Sequence, residues 1–267
     1  MNRPQIDSGD GFDEAIVAVQ RVIREGGTVR ADREFVINEV PVALVFNGLP
    51  HAVMMATPSD IEDYALGFSI AEGVVDKPQH VLDIDIGEIS ANGVEAKIRI
   101  TNGAFHRLRQ YRRNLAGSSS CGLCGQESLD EVLRPLPVRE PVDLPTSTSI
   151  SNALEQIRDL QQIRKATAAA HAAAWCSPQG EIIAVREDVG RHNALDKLIG
   201  WRRGRPIPGF VLVSSRASFE LVRKSVMADL KVLVAVSAPT SLAIKAALDG
   251  GLRLVAFANM DRQGIYA

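Results

Sequence analysis

Four short apolar runs constrain the second half of the chain more than any other feature: Glu-Ile-Ile-Ala-Val from Glu181, Gly-Phe-Val-Leu-Val from Gly209, Lys-Val-Leu-Val-Ala from Lys231 and Leu-Arg-Leu-Val-Ala from Leu252. Segments of helical character separate them, beginning near Asn193, Ser218 and Ser241. Apolar strands alternating with helices build a mostly parallel sheet flanked by helices, because crossover helices cover both faces of each strand. Ligands of open α/β sheets bind beyond the carboxyl ends of the strands. Those ends read Arg186-Glu187-Asp188, Ser214-Ser215-Arg216, Ser237-Ala238-Pro239-Thr240 and Asn259-Met260-Asp261-Arg262, small or polar groups suited to phosphate and base.

The first half reads differently. Asn47-Gly48 and Asn92-Gly93 each lie between apolar or alternating runs, a hairpin signal, and together they predict a small mixed sheet. Thr57-Pro58-Ser59-Asp60 predicts a helix start, with Pro at the first helical position. Ile61, Ala65, Phe68 and Ala71 then share a face that should cover this sheet. The proline-rich stretch that ends near Ser149 reads as a linker. The expected organisation is therefore α/β with two domains: a flexible segment over 1–30, a small mixed α+β domain over 31–145, and a sheet-and-helix domain over 146–267.

At 267 residues, 46% of them hydrophobic, the chain can bury the cores this requires. A net charge of −2 argues against a nucleic-acid-coating protein. The first residues lack an apolar signal-peptide region, and no run of about eighteen apolar residues occurs, so a cytoplasmic protein with no membrane span is expected. Three cysteines are too few, and odd in number, for a disulfide framework.

Cys121-Gly-Leu-Cys124-Gly is the most reactive feature. Thiolates are the nucleophilic form, favoured near cations and helix N-termini. Arg107, Arg109, Arg112 and Arg113 lie upstream, and a helix-like segment begins at Ser128 downstream. Gly117, Gly122, Gly125 and the intervening serines suit a mobile loop. Four readings stand side by side. A structural zinc would need Cys176 or scattered histidines to complete four ligands. A thioredoxin-like pair would be expected inside a βαβ unit. An inert buried pair would be expected among apolar residues. Nucleophilic sulfur chemistry needs only one thiolate, which accepts sulfane sulfur from a donor persulfide and passes it on.

Several long motifs in order then settle a resemblance: Glu39 to Ala43, the stretch from Asn47 to Gly73, SSCGLCG, REDVGRHNALDKLIG, SSRASFELVRK and SAPTSLAIKAAL. Together they resemble the FdhD family of formate dehydrogenase accessory sulfurtransferases, from about Glu39 to the C-terminus. The resemblance implies a sulfur carrier that takes sulfur from a cysteine desulfurase as a Cys121 persulfide. It then passes the sulfur to the molybdenum cofactor, in its bis-guanine dinucleotide form, before insertion into formate dehydrogenase. Cys124 maps onto the second loop cysteine. The resemblance further implies a cytidine-deaminase-like C-terminal domain, cofactor binding along Phe257, Ala258, Asn259, Met260, Asp261 and Arg262, a homodimer, and partnership with the dehydrogenase catalytic subunit. A noncatalytic cofactor-binding chaperone is the alternative. Zinc-dependent deamination is not expected, because His171-Ala172-Ala173 lacks the glutamate of the H-x-E signature and Cys176 has no C-x-x-C partner.

Other residues carry two readings. Asp188, Arg191, His192, Asp196 and Lys197 suit ligand contact or capping and salt bridging equally. His171 reads first as a core or interface histidine. The arginines from 107 to 113 suggest contact with anions or with a desulfurase. Met54 and Met55 are expected in the core.

Overall fold

The computed structural model describes residues 10–110 and 135–267, together with the backbone of 111–118. Strands β7 (His171–Cys176), β8 (Ile182–Asp188), β9 (Phe210–Val213), β10 (Val232–Ala235), β11 (Arg253–Ala256) and β12 (Gly264–Ile265) form one sheet in the order β12-β11-β10-β9-β7-β8. Strands β9, β10 and β11 are parallel, and β7 is antiparallel to both β8 and β9. Four of the predicted runs therefore point the same way, with β8, β9, β10 and β11 all ending at one edge. Each of β9 and β10 is buried throughout, as a sheet covered on both faces requires.

Alternate residues go to opposite faces of this sheet. Ala172, Ala174, Leu212, Val234 and Val255 pack with Ile150, Ala153 and Ile157 of helix α3 (Ser147–Leu160). Ala173, Val211, Val213, Leu233 and Leu254 face the other way, toward helices α5 (Arg191–Trp201), α6 (Phe219–Met227) and α7 (Ser241–Gly250). A short helix α4 (Gln162–Thr167) precedes β7.

The N-terminal sheet is mixed, as expected, with order β4-β3-β6-β5 from β3 (Val40–Phe46), β4 (Leu49–Ala56), β5 (Val81–Ile86) and β6 (Val94–Ile100). Asn47 and Gly48 both have positive φ, 47° and 79°, the mirror-type turn that matches strand twist. The second expected turn is looser. β5 and β6 do pair antiparallel, but 87–93 join them, and Gly93 is held at φ 113° with no room for a Cβ against the Pro41 carbonyl.

Helix α1 (Ile61–Ala71) starts later than the sequence predicts. Asp60 occupies the N-cap position in a left-handed conformation without capping the helix. Thr57 instead turns to the C-terminal half: its amide donates to Asp188, and its hydroxyl accepts from the Val189 amide. Long-range bonds here outcompete local capping. The expected covering of the sheet is observed for one side of α1; the other side lies against α5, so nearly the whole helix is buried. Contact between the two helices is backbone to backbone. A Cβ on Gly67 would sit 1.7 Å from the Asp196 carbonyl oxygen, and one on Gly200 would sit 1.9 Å from that of Asp63.

Three expectations are corrected. Where a flexible segment to residue 30 was predicted, β1 (Ile16–Glu25) and β2 (Thr28–Ile37) form an antiparallel hairpin that crosses that boundary. Its base is anchored by Ile16 and Ile37, which pack against Ala15, Ile163 and Ala170. Met54 and Met55 are exposed rather than core, because they lie on the edge strand β4. Finally, residues 135–146 lack regular structure ahead of α3, yet the largest apolar cluster runs unbroken from Val42 and Phe46 through α1 and α5 to Leu233. The halves thus share a core.

Candidate functional site

The motif from Arg186 to Lys197 lies at the carboxyl end of β8 and in the first turns of α5, where the two halves meet. Its charged groups are paired across that seam. Lys197 Nζ lies 2.8 Å from Asp188 Oδ2 and also donates to the Thr57 carbonyl. Asp188 Oδ1 accepts from the Gly190 amide and from Asn193 Nδ2, and Asn193 in turn donates to the Met55 carbonyl. Arg186 pairs with Asp60 and Asp63 at 3.3 and 2.8 Å.

Lys224 of α6 lies between Asp196 and Glu72, at 2.8 and 2.6 Å. Burial alone would raise Glu72, but Lys224 and Arg223 together hold it below the ordinary carboxylate range. Asp196 has the single cation and is pushed up to about 6 by burial. Asp188, Asp196 and Lys197 are therefore structural. Their lone pairs and protons are spent on holding the halves together, and the ligand-contact reading is left to Arg191 and His192. Sequence reasoning read Asp60 only as part of a helix start and did not single out Asp63, Glu72, Arg223 or Lys224. Each is an ordinary surface-type residue whose partner lies far along the chain.

Beyond this seam the strand ends form a polar edge. His171 opens β7 beside the end of β8, and its Nδ1 is buried without a partner among the described residues. Arg191, at the start of α5, has a buried Nε in the same condition. Burial, and then the Arg191 charge, lower the His171 pKa; the same two causes bring His192 down to about 4. Both rings are neutral near pH 7, which leaves each a donor and an acceptor nitrogen. Ser214 accepts from the Ala172 amide, and the following loops are laced together by Ala217 to Ala238 and Thr240 to Ala217 backbone bonds. Arg216 is exposed at this edge.

The segment from Phe257 to Arg262 follows β11 at the same edge. Phe257 takes a positive φ of 51°. Its amide donates to the Ser237 carbonyl, and the Ala258 amide donates to that of Ala235. Asn259 Oδ1 accepts from the amides of Asp261 and Arg262, closing a tight turn, and the Arg262 guanidinium lies 5.1 Å from the Phe257 ring centre. Ala258 is buried, whereas Phe257, Met260, Asp261 and Arg262 are exposed. An aromatic face, a guanidinium and several free polar groups are thus gathered where a sheet of this kind receives ligands. The exposed groups suit a base and phosphates.

Helix α2 (Asn102–Ser118) carries the arginine cluster and continues through Gly117, which the sequence reading had assigned to a loop. Arg107 pairs with Asp76 at 2.6 Å. Cys121 and Cys124 lie outside the described residues. Cys176 is buried in β7, where burial raises its thiol pKa far above the usual range. Among the described residues no His, Cys, Asp and Glu side chains group to hold a metal ion, and no helix is long and apolar enough to cross a membrane.

The class defined by this architecture is a mixed α/β protein with a polar edge at the strand ends of its C-terminal sheet and, in sequence, a Cys-x-x-Cys motif between its two halves. A model of the FdhD/NarQ family matches residues 37–267, and the chain belongs to that family. It is 45% identical over 238 residues to the sulfur carrier protein FdhD of Variovorax paradoxus (strain S110), covering 88% of this chain and 85% of that one. It is 42% identical to the sulfur carrier protein FdhD of Bordetella bronchiseptica, over 100% of this chain and 98% of that one. In fold it resembles the crystal structure of a protein from Desulfotalea psychrophila assigned as a formate dehydrogenase accessory protein. That likeness has a TM-score of 0.69 at 18% identity, over 94% of this chain and 96% of that one.

Proposed function

We propose that this protein is a sulfur carrier in formate dehydrogenase maturation. It would accept sulfane sulfur from a cysteine desulfurase on Cys121 and pass it to a molybdenum cofactor, in guanine dinucleotide form, held at the strand-end edge. The observation that carries the reading is the Cys121-Gly-Leu-Cys124 motif within a family match spanning residues 37–267, with relatives named as sulfur carrier proteins, one of them matched over 98% of its length. Loading is a thiol exchange: the Cys121 thiolate attacks the terminal sulfur of the donor persulfide, a new S–S bond forms, and the donor cysteine leaves as its thiolate. Cys124, three positions further along the sequence, would release or resolve that persulfide.

The strand-end groups supply the acceptor side. Arg216 and Arg262 suit phosphates, Phe257 offers a stacking face, and Nδ1 of His171 and Nε of Arg191, without partners among the described residues, suit polar groups of the cargo. The cytidine-deaminase-like architecture of the C-terminal half that the family resemblance implies belongs to this reading. A homodimer, a cytoplasmic location and delivery to the dehydrogenase catalytic subunit belong to the same reading.

Intact mass after incubation with a cysteine desulfurase and cysteine tests it. A gain of one sulfur atom on the wild type, absent from Cys121→Ala and reversed by reductant, is expected. Cofactor binding with no such adduct would favour the noncatalytic chaperone instead.

A further inference from the structure

A polar cavity lies on the opposite edge of the C-terminal sheet, where the strands begin. Arg202 and Arg203 follow α5, Asp229 precedes β10, and Arg139 runs beside Gly250 just ahead of β11; together with Asp76 they wall a cavity of about 270 Å³. Its two carboxylates are already engaged. Asp229 pairs with Arg139 and with Lys231, at 3.4 and 2.8 Å, and Asp76 pairs with Arg107. Among the described residues Arg202 and Arg203 have no anionic partner within ion-pair distance.

Arg202 is held in place rather than free in solvent. Its guanidinium lies 4.3 Å from the Trp175 ring centre, one NH2 donates to the Ile207 carbonyl at 3.4 Å, and its Nε is buried without an acceptor among the described residues. A stacked guanidinium has given up much of its rotamer freedom before any ligand arrives, so less is lost on binding. An oxyanion in the cavity would meet the guanidinium groups of Arg202 and Arg203, which line it, and neutralise their positive charge.

We infer that this cavity is a binding site for a phosphate-class oxyanion, held by Arg202 and Arg203 and separate from the strand-end edge. The chemistry fits free inorganic phosphate or a small phosphomonoester, since the cavity holds several water-sized groups.

Tryptophan fluorescence of the full chain provides the test, because Trp175 lies under Arg202 and Trp201 precedes it. Inorganic phosphate and glycerol 3-phosphate are titrated separately at constant ionic strength, with chloride as the control. A saturable change is expected, and the tighter of the two identifies the source. Arg203→Gln, on an exposed side chain, should weaken it about tenfold or more without changing thermal stability in the absence of phosphate. Arg202→Gln should remove it, and the effect should survive in Arg262→Ala. Equal response to chloride, binding unaffected by Arg203→Gln, or binding lost only in Arg262→Ala would each overturn the inference.

Discussion

Lys197 and Asp188 meet at 2.8 Å with both side chains wholly buried, and the Thr57 backbone of the other half completes the coordination of each. Removing one member of such a pair leaves the other charged and uncompensated. Lys197→Met should therefore cost about 3–5 kcal/mol in urea unfolding. The double variant with Asp188→Asn should recover part of that loss. Strictly additive losses would show that the two residues do not act as a unit.

Gly200 sets how closely α5 approaches α1. Alanine gains about 1 kcal/mol of helix propensity over glycine, but a Cβ 1.9 Å from the Asp63 carbonyl oxygen would force the helices apart. Overpacking of this kind costs about 1–3 kcal/mol or more, so Gly200→Ala should be net destabilising. Gly103→Ala, where the nearest atom is 4.0 Å away, should not be. Equal unfolding midpoints for the two variants would contradict this account of the helix crossing.

Asp60 gives the seam a pH dependence. Burial pushes its carboxyl from 3.8 up to about 6, against the opposing charges of Arg186 and Lys197. A carboxyl that holds its proton more tightly when folded contributes stability that is fully present below its unfolded value, and that is lost as pH rises through the folded one. Relative to Asp60→Asn, the wild type should lose stability between pH 4 and 7. A stability difference that stays flat across that range would remove Asp60 as the source.

Arg262 is expected to hold phosphate at the strand-end edge. GDP should bind the wild type measurably in calorimetry at sub-millimolar to millimolar concentration, and Arg262→Ala should weaken it by about tenfold or more. No GDP binding by the wild type would move the cofactor site away from residues 257–262.

Much of the fold was legible because its signals are local. Asn47-Gly48 makes the expected turn, since that pair tolerates positive φ at both positions, and the buried runs from Ile182 to Ala256 are strands because a covered parallel sheet needs apolar residues on both faces. What escaped depends on distant partners. Thr57 and Asp60 look like a cap but are claimed by Asp188, Val189 and Arg186, some 126 to 132 positions away. Met54 and Met55 looked like core because composition does not reveal which strand lies at an edge. The family was legible from the long motifs that carry the resemblance, whereas the seam's ion pairs were not.

The shared core also orders events during synthesis. Helix α1 is complete about 130 residues before α5 is, which at ordinary elongation rates is on the order of ten seconds. Throughout that interval the outer face of α1, including Gly67 and the groups that later meet Asp196, has no neighbour from its own chain. The nascent N-terminal half thus keeps this apolar surface open until α5 arrives, and a polypeptide ending near residue 145 would leave it without its packing partner.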